Sequence, residues 1–413
     1  MVKVVQIQTG LPVSGNVPYK LHEAFLRVGI DSKFVVFDSK IKNSLVKEIS
    51  SLPKRIHAIV YNKYHSWLRK KIKPGSYLFS NPVYWGIDIS SFQLVKDADV
   101  IYLHWAVGGF LSIGTIEKLL QTQKPLVVFL HDMWPITGGC HHSFDCDNYK
   151  SGCYSCPMFK SDDGRSVAIN QLKKKMMLAQ KHLNLYFIAP SKWLFDCAIH
   201  SLATKKENVL LVPHLYSGKV FYKKSRQNCL NKFSLPSNKI IIGFGSLNAT
   251  CNPFKGLKFL IDAIYQLKEF YNQEEITLVI FGASGQEERL SLPFQSVWLE
   301  RIIDQNSLAD LYNCFNVFVT PSLAESFGMT ALESIACGTP VACFNVGGLR
   351  DVVQHKKTGY KSIYKDSIDL ARGIKFCIER LPEVVVDNNF SETNVVNKHV
   401  QIFNSILKLQ AKT

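Results

Sequence analysis

Two glutamates, Glu325 and Glu333, stand eight positions apart in the stretch "PSLAESFGMTALESIACG", with Ser326, Phe327, Gly328, Met329 and Thr330 between them. "VFVTPSLAE" reads as a strand running into a loop, and "GMTALESIACG" as a helix that stops at Gly338. A helix start carries partial positive charge on amides that lack intrahelical partners, which makes it a seat for phosphate. At ~1.5 Å rise per residue the glutamates lie roughly 10 Å apart along the axis, about the reach from a sugar ring across a diphosphate to a ribose. One carboxylate can take sugar hydroxyls, the other ribose hydroxyls, with the phosphates on helix amides between them.

Further chemistry-bearing residues sit where apolar runs end. "PLVVFLHD" closes on His131 and Asp132, and "VIYLHW" on His104 and Trp105. Trp105 either stacks on a sugar or fills core. Gly15, in "PVSGNVPYK" after the first strand, either lets backbone approach a phosphate or sugar, or makes an ordinary strand-to-helix turn. "CHHSFDCDNYKSGCYSC" brings Cys140, Cys146, Cys153 and Cys156 into one short loop. Four thiolates can make a tetrahedral structural zinc site, the alternatives being reduced buried thiols or a disulfide.

The elements that must position these residues follow from the apolar pattern. Runs such as "VKVVQIQ", "SKFVVF" and "LYFIAPS" alternate with amphipathic stretches such as "YKLHEAFLRVG". That alternation predicts parallel α/β architecture. A second series begins beyond about residue 215 with "KIIIGFGSL", "ITLVIFGASG", "VWLERI", "VFVTPS" and "TPVACFN". Two such series in 413 residues predict two Rossmann-like domains. Ligands of open α/β sheets bind beyond the carboxyl ends of the strands, so the loops named above are expected to face an interdomain cleft.

"DLYNCFNVFVTPSLAESFGMTALESIACGTPVACFNVGGLRDVV", "NPFKGLKFLIDA" and "SGNVPYKLHEAFLRVG" together resemble retaining glycosyltransferases of family 4, which have the GT-B fold. "HDMWPITGGC" and the cysteines after it resemble the subgroup that builds bacterial exopolysaccharide and O-antigen. The resemblance implies a nucleotide-sugar donor and a lipid-linked saccharide acceptor, with no cofactor required for catalysis. It implies that residues 1–215 form the acceptor-binding domain and 216–390 the donor-binding domain, with a helix at 391–413 packing back toward the first. Lys255 would neutralise the diphosphate as it leaves, Glu333 hold the ribose and Glu325 the transferred sugar, and Ser326 to Thr330 supply backbone contacts. His131 would bind the transferred sugar, with Asp132 orienting it or meeting the acceptor, while Gly15, His104 and Trp105 line the same region. One position departs: Ser246 stands where the family usually has an arginine, so Lys255 and the helix amides must suffice or another base such as Arg301 must reach in.

A formal charge of +16 calls for an anionic partner or a merely solubilising surface. "LPKRIHAIVYNKYHSWLRKKIK" places Ile56, Ile59, Val60, Trp67 and Leu68 among basic residues at near-helical spacing. It reads either as a helix lying on the anionic inner face of the cell membrane or as one buried on its apolar side. No run approaches the length needed to cross a bilayer and no export signal opens the chain, so a cytoplasmic, peripheral location is expected. Two rival readings are a GT-B-fold nucleotide-sugar epimerase and a zinc-containing nucleic-acid-binding protein. No nucleic-acid module is recognisable, so nucleic acid is not an expected partner.

Overall fold

The computed structural model describes residues 1–12, 16–49, 51–82, 85–245, 252–282 and 292–410, the side chains of 51–55 and 163 excepted. It divides into two compact units, Met1–Pro213 with Val395–Thr413, and His214–Asn394. Each holds one wholly parallel sheet.

The first sheet contains β1 (Lys3–Leu11), β2 (Asp31–Ser39), β3 (Val46–Glu48), β4 (Val100–Leu103), β5 (Leu126–Phe129), β6 (Leu185–Ala189) and β7 (Val209–Leu211), in spatial order β3-β2-β1-β4-β5-β6-β7. The second contains β8 (Ile240–Gly245), β9 (Ile276–Phe281), β10 (Gln295–Leu299), β11 (Val317–Thr320), β12 (Val341–Phe344) and β13 (Gly359–Ser362), in order β10-β9-β8-β11-β12-β13. Central strands such as β5, β11 and β12 are buried at every residue. That burial on both faces is why they read as unbroken apolar runs. The short strands β3 and β13 have no such run and are not legible in the sequence.

Strand order reverses direction between β1 and β4 in the first unit and between β8 and β11 in the second. These are the switch points at which open α/β sheets leave a crevice at their carboxyl ends. The loops after β4 and β11 carry His104 and Glu325.

From Val395 onward the helix Glu392–Gln410 belongs to the first unit and packs into its core. Its Phe403 ring meets Phe25 and Tyr102 at 5.6 Å, and the fully buried His399 bonds Tyr102 Oη through Nδ1 at 2.8 Å. No helix among the described residues is long and apolar enough to cross a membrane.

Candidate active site

In the second unit three loops converge. After β8 the chain makes a one-turn helix, Pro253–Lys255, started by Asn252 Oδ1 accepting from the Phe254 amide at 3.1 Å. Gly256 ends the turn at φ +74°, and a Cβ there would stand 1.9 Å from the Pro321 carbonyl oxygen. Only glycine lets this turn lie against the loop that follows β11. The Leu323 amide then donates to Phe254 O at 2.8 Å.

This docking brings Lys255 Nζ to 2.9 Å from Glu325 Oε2, with both side chains partly shielded from solvent. The loop after β12 holds the far side of Glu325, whose carbonyl accepts from the Gly348 amide at 2.8 Å. A Cβ on Gly347 would stand 2.0 Å from that same oxygen. "NVGG" therefore serves as a backbone cradle for the glutamate loop, a role its two glycines signal in the sequence.

Gly328, at φ +104°, opens the helix Met329–Ala336. The helix has neither a side-chain cap bond nor an acidic residue in its first turn, and its leading amides carry partial positive charge. Thr330 lies in that first turn, and Met329 packs partly on the core. Ser326 is buried, and Phe327 points into the core against His214 and Phe390 at 4.9 and 5.8 Å, leaving its backbone to face other groups. Glu333 is buried within the helix. Burial pushes the Cys337 thiol up to about 12, and the nearby Glu333 charge adds to that rise. Ser246 lies outside the described residues, and Arg301 is solvent-exposed.

In the first unit, Gly15 lies outside the described residues, but the helix that follows, Val17–Arg27, is capped by Asn16 and has Pro18 in its first turn. His131 and His104 meet directly, His104 Nδ1 to His131 Nε2 at 2.9 Å. Burial drives the His131 ring down to about 4, against a weaker upward pull from Asp132, so the imidazole is neutral at physiological pH. His104 is thus a direct partner of the His131 ring. Asp132 turns the other way: Oδ1 accepts from the Trp134 amide at 2.7 Å and Oδ2 pairs with His141 Nδ1 at 2.6 Å. Burial would raise this carboxyl, but the His141 charge and bond outweigh it and hold Asp132 below the usual carboxylate range. His141 Nε2 continues to Ser80 Oγ at 2.9 Å. Trp105 is 36% exposed, its ring 6.2 Å from that of His141, so it is available to stack on a ligand and is not core.

The expectation of zinc at Cys140, Cys146, Cys153 and Cys156 is corrected. Among the described residues no three His, Cys, Asp or Glu side chains gather so as to hold a metal ion, and all four cysteines are free. Cys153 and Cys156 belong to the first unit's core and Cys140 packs on it. Burial pushes Cys140 up to about 12 and Cys153 to about 11, so both are protonated thiols behaving as small apolar groups. Lys175 is buried. Its Nζ donates to the Trp134 and Thr137 carbonyls, the latter at 3.0 Å, and lies 3.9 Å over the Trp134 ring.

With this geometry in view, residues 238–380 match the family described as "Glycosyl transferases group 1". The match contains the whole Lys255–Glu325–Glu333 constellation. Across 79% of this chain and 90% of the relative, the chain is 27% identical to an uncharacterized glycosyltransferase of Methanocaldococcus jannaschii. It is 31% identical to the D-inositol 3-phosphate glycosyltransferase of Corynebacterium jeikeium, over 33% of this chain and 34% of that one.

Among solved structures, a glycosyltransferase of Rickettsia africae aligns over 98% of this chain and 99% of its own, with TM-score 0.63 and 14% identity. HepE of Anabaena, solved with UDP-glucose, aligns over 100% and 99% with TM-score 0.55 and 17% identity. WaaG, a glycosyltransferase involved in lipopolysaccharide biosynthesis, aligns over 99% and 98% with TM-score 0.57 and 12% identity. These neighbours establish the fold: two Rossmann-like parallel-sheet units of GT-B type.

Proposed function

We propose that this chain transfers a hexose, with retained anomeric configuration, from a UDP- or GDP-sugar to a lipid-linked oligosaccharide in bacterial surface-polysaccharide synthesis. The observation that carries the reading is the Lys255–Glu325 pair, 2.9 Å apart at the β8/β11 switch point beside an uncapped helix start. That arrangement offers a cation and amides for a diphosphate and a carboxylate for sugar hydroxyls. The UDP-glucose bound by HepE favours a UDP-sugar as the first donor to try.

In this reading Glu333 binds the ribose, Glu325 the sugar, and Lys255 the diphosphate; Ser326 to Thr330 contribute backbone. His131 contacts the transferred sugar and Asp132, His104 and Trp105 belong to the acceptor side. The bond from the anomeric carbon to phosphate oxygen breaks as the acceptor hydroxyl attacks the same face. The hydroxyl proton passes to the departing phosphate, so no enzymic nucleophile is needed. Lys255 and the helix amides stabilise the charge that grows on the leaving group.

Membrane contact is assigned to the helix Ser51–Lys71, whose exposed stripe carries Ile56, Ile59, Lys63, Trp67 and Lys70. Apolar and basic side chains on one solvent-facing stripe suit an anionic bilayer surface. Leu68 is not part of that stripe, being fully buried in the core.

Titrating the protein calorimetrically with UDP-, GDP- and ADP-sugars tests the donor site. One nucleotide should bind in the micromolar range, and Lys255→Ala and Glu333→Ala should each abolish it. Equal binding by wild type and both variants would sink the reading. An epimerised donor formed without any acceptor would convert it to the rival enzyme class.

A further inference from the structure

The helix Asp162–Lys181 buries one stripe of its surface, through Ala168, Gln171, Leu172, Lys175 and Leu178, while Lys173 and Lys174 face solvent. Two members of that stripe are out of place by type. Leucine or methionine at 171 and 175 would pack there without stripping water from an amide and an amine.

The partners of these two side chains account for them. Gln171 Nε2 donates to Ser80 O at 3.0 Å and to Gly138 O at 2.6 Å. One turn on, Lys175 Nζ donates to the carbonyls of Trp134 and Thr137, the start and the cap of the one-turn helix Trp134–Ile136. Either protonation state of the amine supplies the two N–H groups this needs. The Trp134 indole closes the set, its Nε1 donating to Ser80 O at 3.0 Å. The fit against the helix is close. A Cβ on Gly138 would stand 2.7 Å from Ala168 O, and one on Gly139 2.2 Å from Gln171 Nε2. The glycine pair in "ITGGC" thus lets this loop lie on the buried stripe. Each carbonyl that the helix takes belongs to the loop between Asp132 and His141, or to Ser80, whose hydroxyl bonds His141. Asp132 in turn holds the Trp134 amide, so a shift of that turn would carry the carboxylate with it.

We propose that Lys175 and Gln171 are positioning residues: by holding the carbonyls of Trp134, Thr137, Gly138 and Ser80, they set where the Asp132 carboxylate and the His141 ring stand. The consequence for transfer rests on placing Asp132 at the acceptor under the proposed function; the hold on the loop stands on its contacts alone. Both side chains lie in the first unit, and Lys255, Glu325 and Glu333 in the second, so acceptor and donor effects can be read apart. Supporting residues of this kind lock a binding group in its productive geometry.

Amide hydrogen exchange of the full-length protein at neutral pH tests the hold. Lys175→Met keeps the stem and removes the donors. Exchange across residues 133–141 should quicken about tenfold or more, the effect of two lost hydrogen bonds, with the second unit unchanged. Gln171→Leu should do the same, and serves where Lys175→Met does not fold. Lys175→Arg should return wild-type protection, since an apolar cavity of about 40 Å³ lined by Lys175, Trp134 and Leu178 has room for the longer group. Unchanged exchange of this loop in both Lys175→Met and Gln171→Leu overturns the proposal, as does a quickening spread evenly over the first unit. Transfer is read separately, with the nucleotide sugar that binds calorimetrically and a synthetic prenyl-diphosphate-linked disaccharide as acceptor. Lys175→Met should raise the acceptor KM about tenfold or more while leaving the donor Kd unchanged, and Lys175→Arg should restore it. A quickened loop with an unchanged acceptor KM would take Asp132 out of the acceptor site. That result would fail the functional reading and leave the two side chains as anchors of the loop.

Discussion

Lys255 and Gly256 are neighbours with different duties, and substitution should separate them. Lys255→Ala removes a positioned cation while leaving the turn intact, so turnover should fall ~10²–10³-fold with little change in melting temperature. Gly256→Ala instead forces a left-handed backbone on alanine and sets a Cβ 1.9 Å from Pro321 O. A strained position of this kind costs roughly 1–3 kcal/mol before the clash is counted. Denaturant unfolding should therefore report a less stable protein, and donor binding should weaken because Lys255 no longer meets Glu325. An unchanged unfolding midpoint for Gly256→Ala would show that the two loops need not touch.

At the scale of elements, the helix Ser51–Lys71 presents two faces with opposite expectations. Leu68 is fully buried, and Leu68→Ala should destabilise the fold by about 2–5 kcal/mol through the cavity it leaves. Ile59 and Trp67 are 57% and 46% exposed, so changing them should leave stability nearly untouched. If the exposed stripe docks on lipid, Ile59→Glu or Trp67→Ala should weaken flotation with anionic vesicles about tenfold or more, since each apolar side chain transferred is worth roughly 1.5–3 kcal/mol. Equal flotation of wild type and both variants would rule the helix out as the membrane face. The periodicity of this segment is visible in the sequence. Which of its apolar residues face solvent is not, because Leu68 and Trp67 are adjacent and differ only in what packs beside them.

For the molecule as a whole, buried imidazoles set the acid limit. Burial holds His22, His65 and His131 near 4, with nearby charges of Arg69 and His141 also lowering His65, and it holds His399 near 3. An unfolded chain would protonate all four near 6.5. Between those limits the unfolded state binds more protons than the folded one, so stability is full above about pH 6.5 and falls as pH drops toward 4. Each such histidine contributes a slope of about 1.4 kcal/mol per pH unit in that window. Urea midpoints measured from pH 7.5 to 4 should follow this decline, and His399→Phe should remove about one proton's worth of slope. A flat profile would mean these rings are solvated in the folded protein.

Much of the fold was legible because parallel strands buried on both faces must be continuous apolar runs, and glycine must stand where a loop turns left-handed. The helix start between Glu325 and Glu333 was legible without any coordinates, since it depends only on the local sequence. Short strands such as β3 and β13 escaped, their pairing being set by neighbours distant in sequence. The four cysteines show the limit most plainly: their spacing permits a metal, and only the packing of Cys153 and Cys156 into the core makes them apolar filler.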